Sequence, residues 1–209
     1  EKVFTDKDVL KTHRAYDLGA LDLFQYIKPL SDDSFFSTTS RLFVELNRSV
    51  FSKQLFSEFS KVLSENQKSE ILGKYYTPYR AKVEYKIAEL IKTNHQVLHL
   101  SIHTFTPILN GKRRNCDIGL LYDSRNKKEQ GFCKQFKKEL LHQNRNLNLR
   151  YNHPYLGKAD GFTTFLRKKF PENYLGIEIE VNQKFTVNNV MDLVVKRNLF
   201  QSIRELITD

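Results

Sequence analysis

Apolar and polar positions alternate most regularly from Val97 to Phe105, where Leu98, Leu100 and Ile102 interleave with His99, Ser101 and His103. A period of two predicts a strand, and Pro107 stops any regular ladder. Asn115 to Asp123 reads as a second strand, opened by an Asn and an Asp. Leu147 to Asn152 and Tyr174 to Val181 supply two more, the latter with apolar residues on one side and Glu178 and Glu180 on the other. Phe35 to Leu46, rich in β-branched and aromatic residues, reads as a further strand.

Elsewhere the period lengthens to that of a helix. Ala20, Leu21, Phe24 and Ile27 share one face of a helix that Asp17 is expected to cap and Pro29 to end. Leu55, Phe56, Phe59, Val62 and Leu63 mark another. The next starts with Thr77 as cap and Pro78 at the first helical position, turning Val83, Ile87, Leu90 and Ile91 inwards. Phe132, Phe136 and Leu140 at four-residue spacing predict an amphipathic helix. A short helix follows from Gly161 to Phe170, and the closing helix carries Val190, Leu193, Val194, Ile203 and Leu206. This alternation predicts an α/β fold, a three-layer sandwich in which helices flank a mixed, mostly parallel sheet. No repeat, low-complexity tract or linker interrupts it, so one domain is expected over residues 1–209.

Composition narrows the class. A chain of 209 residues, 40% hydrophobic and 12% aromatic, can bury a real core and is not disordered. No apolar run approaches the ~20 residues needed to cross a bilayer, and no secretory signal is visible. Two cysteines, Cys116 and Cys133, give no disulfide framework, so a reducing, cytoplasmic setting without a membrane partner is expected. The net charge is +10, and between Arg125 and Arg150 eight basic residues face two acidic ones. An amphipathic helix with a solvated basic face accounts for that run. No nucleic-acid module surrounds it, and nucleic acid is not expected as a partner. The sequence sets no oligomeric state.

Four polar clusters fall at strand ends or in adjoining loops: His13 with Asp17, Asn47 with Arg48, His103, and Glu178 with Glu180. An imidazole at the carboxyl end of a strand points to where open α/β sheets place their ligands. Catalytic zinc wants about three N or O ligands and an open position for water. A separate carboxylate then deprotonates that water, and an arginine grips an anionic substrate group bidentately. Each residue also has a plain structural use. His103 could bond a carbonyl in the core, Asp17 cap a helix, Arg48 join a surface ion pair, and the two glutamates face solvent from an edge strand. On one face of a buried strand, however, two carboxylates repel unless a cation or donor lies nearby. His95, His99 and His142 lack such neighbours and are read as structural.

Six motifs run in order from His13 to about Phe185. They are His-Arg-x-x-Asp-x-Gly-Ala at His13–Ala20, Leu-Asn-Arg at Leu46–Arg48, Leu-Ser-x-His-x-Phe-Thr-Pro at Leu100–Pro107, and Asn-x-Asp-x-Gly-Leu-Leu-Tyr-Asp at Asn115–Asp123. Asn-x-Pro-Tyr-x-Gly-x-Ala-Asp-Gly at Asn152–Gly161 and Gly-Ile-Glu-Ile-Glu-x-Asn-Gln at Gly176–Gln183 complete the set. Together they resemble the N-formylglutamate amidohydrolase family, within the zinc carboxypeptidase-like hydrolases.

That resemblance implies a fold of the zinc-dependent exopeptidase, phosphorylase/hydrolase-like kind. It also implies a zinc-dependent amidohydrolase that cleaves an N-acyl, even an N-formyl, bond on an acidic amino acid or similar small carboxylate. His103 matches the histidine that a later strand gives the metal, Asp17 is the candidate acidic ligand, and His13 a further one. Asn47 and Arg48 match the pair that grips the substrate carboxylate, with Arg114, Asn115 and Tyr155 added as substrate contacts. Glu180 matches the late glutamate that acts as general base, and Glu178 is the nearby alternative, otherwise oriented towards a cation. Family members usually carry a strand with a further metal histidine ahead of the His13 region, and the given sequence has none. If the native protein truly lacks it, a non-catalytic binding or scaffold protein with the same fold and a degraded metal site is expected instead.

Overall fold

The computed structural model describes residues 3–4 and 7–208. They form two compact units, one drawn from residues 1–16, 35–97 and 160–174, the other from 17–34, 98–159 and 175–209. In chain order the elements are α1 (Ala20–Ile27), α2 (Glu65–Ile71), α3 (Thr77–Lys92), β1 (Val97–Phe105), β2 (Ile108–Leu109), β3 (Lys112–Arg113) and β4 (Ile118–Leu121). Then come α4 (Lys127–Gln143), β5 (Leu149–Tyr151), α5 (Phe162–Lys169), β6 (Tyr174–Asn182), β7 (Thr186–Val187), β8 (Val190–Met191) and α6 (Leu193–Thr208).

The second unit is built on a four-stranded sheet in the order β1-β6-β4-β5. Strand β4 runs parallel to β5 and antiparallel to β6. The Val97 amide bonds Asn173 O at the start of β1, and Gln183 bonds Thr104 near its end, so β1 and β6 run parallel. The sheet is thus mostly parallel, as expected. Its Ile118, Leu120, Ile177, Ile179 and Val181 pack with Leu23 and Ile27 of α1, Phe136 and Leu140 of α4, and Leu199 and Ile203 of α6. Each such side chain contributes about 1.5–3 kcal/mol by leaving water. Every residue of β6 is buried, Glu178 and Glu180 included, which rules out the solvated edge position open from sequence.

Helix α4 buries Phe136 and Leu140, as its spacing predicts, with Cys133 beside them and Phe132 half-buried, and Asn126 Oδ1 caps it through the amides of Lys128 and Glu129. Asp17 does not cap α1. The cap position is Gly19, at φ 78°, with no side-chain bond. A Cβ there would lie 2.6 Å from Thr186 Oγ1, so the close approach as well as the left-handed backbone calls for glycine. The short hairpin β2–β3 turns on Asn110-Gly111, both at positive φ, a sequence signal that the strand reading passed over.

In the first unit two expectations fail. Phe35–Leu46 forms no strand, because its backbone is spent on turns: the amides of Phe43 and Val44 both bond Ser40 O, and Ser37 and Ser40 hydroxyls take the amides of Thr39 and Leu42. Hydroxyl side chains that bond nearby backbone compete with any ladder. Leu55–Leu63 forms no helix for the same reason. Ser57 and Ser60 hydroxyls donate to Leu42 O, and Leu55 and Phe56 instead pack with Val44, Ile71 and Tyr76. The helix starts later, at Glu65, behind a Ser64–Gln67 capping box. Nor is Thr77 a cap. It sits inside a continuous helix whose wide turn over Leu72–Tyr76 carries its amide to Leu72 O, five residues back, just before Pro78.

Candidate active site

In the second unit Ser101 and His103 lie two residues apart on β1 and so share one face. His103 Nε2 is 3.0 Å from Ser101 Oγ, and its Nδ1 is 2.8 Å from Asp17 Oδ2. Thr104 on the same strand donates to Leu18 O at 2.9 Å, tying the segment that carries Asp17 to β1. Asp17 Oδ2 is thus engaged with the imidazole. The His103 and Asp17 side chains are 18% and 17% exposed. Burial pushes the imidazole down, but the hydrogen bond and charge of Asp17, with the charges of Glu180 and Glu178, outweigh it and hold His103 up at about 9. The ring is a cation at neutral pH, and it is the neighbour that two buried carboxylates on one strand require.

Glu180 stands opposite Gly119 across the β4–β6 ladder. A Cβ on Gly119 would fall 1.9 Å from His153 O and 3.5 Å from Glu180 Cβ. The motif glycine is thus a clearance for the loop that passes over the carboxylate strand. Arg114 and Tyr155 also meet: the guanidinium lies 5.2 Å from the Tyr155 ring and donates to its hydroxyl at 3.2 Å. Asn115 is exposed, and its carbonyl accepts from Asn148 Nδ2.

Asn47 and Arg48 belong to the first unit. Asn47 Oδ1 accepts the Phe162 amide at 2.8 Å, supplying the first turn of α5 with the cap that Gly161 lacks. The Arg48 guanidinium donates to Asp160 O, and Asp160 Oδ1 and Oδ2 lie 3.3 Å from the Ser49 amide. His13 is exposed in the same unit.

Zinc chemistry asks for about three protein donors. Asp17 and His103 are two that already converge. Among the described residues no three His, Cys, Asp or Glu side chains form a group that could hold a metal. These residues do not by themselves make a complete zinc site.

A sequence model of the N-formylglutamate amidohydrolase family matches residues 3–187. The chain belongs to that family. The family places it among hydrolases acting on an amide bond. No curated protein sequence matches it significantly. Among solved structures, a gene product of Agrobacterium tumefaciens is similar, with a TM-score of 0.81 at 22% identity over 99% of this chain and 83% of that one. An N-formylglutamate amidohydrolase from Ralstonia eutropha JMP134 is similar with a TM-score of 0.67 at 14% identity, over 90% and 80%. At these identities the likeness is one of fold, α/β with a mostly parallel sheet flanked by helices.

Within this member of the amidohydrolase family, three residues escaped the sequence reading. Ser101 could have been found, since it precedes His103 by one strand period inside a quoted motif. Asp160 also lies in a motif, but nothing in its type or spacing links it to Arg48. Arg80 occupies the inward face of α3 with Val83 and Ile87, where an arginine breaks the apolar pattern.

Proposed function

We propose that this chain hydrolyses an N-acyl, including N-formyl, bond on a small acidic amino acid. The observation that carries the reading is the imidazole of His103, held between Asp17 and Ser101, with Asp17 first and the buried Glu180 and Glu178 after it raising its proton affinity. Amide hydrolysis needs a proton taken from water and a proton given to the leaving nitrogen. A buried carboxylate can do both in turn, taking the first proton as base and giving it up as the carboxylic acid it has become. In this reading Glu180 takes the proton from water, and Glu178 adds its charge to the field around the imidazole. Asp17 orients the ring through Nδ1, and Arg48, of whose five donors one bond goes to Asp160, receives the substrate carboxylate. Arg114, Asn115 and Tyr155 remain candidate substrate contacts.

Zinc belongs to the proposal as a requirement to be measured. Asp17 and His103 would be two of its ligands, His13 a candidate further one, and no step above is routed through the metal. The test is turnover of N-formyl-L-glutamate and its longer N-acyl analogues by purified protein, with metal content measured alongside. Hydrolysis that is lost in His103→Ala supports the assignment. A protein that folds, holds no stoichiometric zinc and cleaves no N-acyl acidic amino acid would instead be a binding or scaffold member of the family with a degraded metal site.

A further inference from the structure

Arg80 is 5% exposed, and among the described residues it makes no ion pair. Its guanidinium lies 3.9 Å from the centre of the Phe162 ring and 4.9 Å from those of Tyr76 and Phe165. Nη1 donates to Leu46 O at 3.0 Å and to Arg48 O at 3.3 Å, and the Tyr76 hydroxyl adds a bond to Arg48 O at 2.8 Å. Those carbonyls flank Asn47 on both sides. The charges of Glu84 and Asp160 act on it only from beyond ion-pair distance, so its burial remains expensive, and an apolar side chain of similar volume would fill the space at less cost. Burial indeed lowers the affinity of this guanidinium for its proton. The cost is matched by one specific effect, a fixed backbone at residues 46–48.

We propose that Arg80 is a positioning residue for the Asn47–Arg48 clamp, its Nη1 holding both flanking carbonyls while its planar face lies over the Phe162 ring, so that the Arg48 side chain is presented to a substrate carboxylate. This rests on the role given to Arg48 above. The same scaffold reaches the other side of the clamp, since Phe162, stacked on Arg80, gives its amide to Asn47. Lysine is a poor substitute: an ammonium can donate to both carbonyls, but it has no planar face to lie over the Phe162 ring and keep that donor in place.

Three readings of Arg80→Lys and Arg80→Met test the proposal: steady-state kinetics, amide hydrogen exchange at residues 47–49, and melting temperature. KM for N-formyl-L-glutamate should rise about 10–100-fold with kcat changed far less, because misplacing a clamp costs binding geometry. KM for the analogue with its carboxylates capped as amides should stay put, and exchange at 47–49 should quicken in both variants. Arg80→Met, relieved of a buried charge, should melt no lower than Arg80→Lys. Unchanged KM, or kcat and KM worsening alike on both substrates in step with melting, would show Arg80 to be ordinary scaffold. Should the wild type cleave no N-acyl amino acid, the functional reading has failed by itself. Exchange then decides Arg80 alone, with quickening in Arg80→Lys upholding the positioning role and unaltered protection overturning it.

Discussion

In the first unit a buried guanidinium, Arg80, is surrounded by three aromatic rings and two backbone carbonyls. In the second an imidazole, His103, is surrounded by carboxylates. The two environments solve different problems. Rings and carbonyls fix the position of a charge that Glu84 and Asp160 offset only from beyond ion-pair distance, and an arginine does not titrate, so the first arrangement suits holding an anion in a set place. Carboxylates cancel the charge of His103 and hold its proton affinity near 9, within a range where protons move. On the function proposed above, a grip and a proton-transfer centre are thereby built from different chemistry, each inside its own unit.

The sharpest way to break the comparison is to remove the base. A general base contributes about 10²–10⁴-fold, so Glu180→Gln should lose that much in kcat while the fold, read by circular dichroism, persists. Glu178→Gln should lose less, and should lower the pH at which His103 releases its proton, as followed by imidazole NMR. An active Glu180→Gln beside a dead, folded Glu178→Gln would exchange their roles.

Removing the grip should come next in size. A desolvated guanidinium–carboxylate pair is worth roughly 2–5 kcal/mol when one partner is truncated. Arg48→Ala should therefore depress kcat/KM for acidic N-acyl amino acids far more than for amide-capped analogues. Equal losses on both would reduce Arg48 to a strut for Asp160.

Much of the second unit was legible in the chain, and the reason is physical. Its elements are long, periodic and packed on one core, so Val97–Phe105, Tyr174–Asn182 and the α4 spacing announce themselves. The first unit hid its structure. Around Ser37–Ser40 and Ser57–Ser60, hydroxyls bonded to neighbouring backbone decide the conformation, and that competition leaves no hydrophobic period to read. The same division runs through the site. Motif spacing singled out His103, Asp17, Glu178 and Glu180 and the structure brings Asp17 against His103, but the use of Asp17 depends on a contact across 86 residues of chain. Arg80 was beyond reach because its partners are carbonyls, which carry no identity in a sequence.

The proton on His103 gives a third and smaller effect, measurable without substrate. Its folded value of about 9 lies above the ordinary 6.5, so the charged form is the one the fold favours. The stabilisation is then fully present below about pH 6.5 and disappears as pH rises through 9. At 1.36 kcal/mol per unit the whole span is about 3 kcal/mol. Urea unfolding of metal-free protein should show stability falling between pH 6.5 and 9.5, and His103→Gln should flatten that slope. Zinc binding, which needs the neutral ring, should release a proton and tighten over the same interval. A slope that survives in His103→Gln would assign it to another group.

The smallest expected effect separates structure from recognition at Asn47. Its Oδ1 accepts the Phe162 amide at the start of α5, a bond made across 115 residues. Losing a helix-capping acceptor costs about 0.5–2 kcal/mol, so Asn47→Ala should lower the urea midpoint modestly. Asn47→Asp keeps an acceptor oxygen at the same reach and places a negative charge at a helix N-terminus, where it is favoured. That variant should recover the stability. A carboxylate there would also sit beside the group that awaits the substrate's own carboxylate, so recovered stability should come with a raised KM for acidic substrates. If Asn47→Asp restores both midpoint and KM, Asn47 serves only as the cap of α5; if it restores the midpoint alone, position 47 lies close enough to the substrate's carboxylate for a charge there to oppose binding.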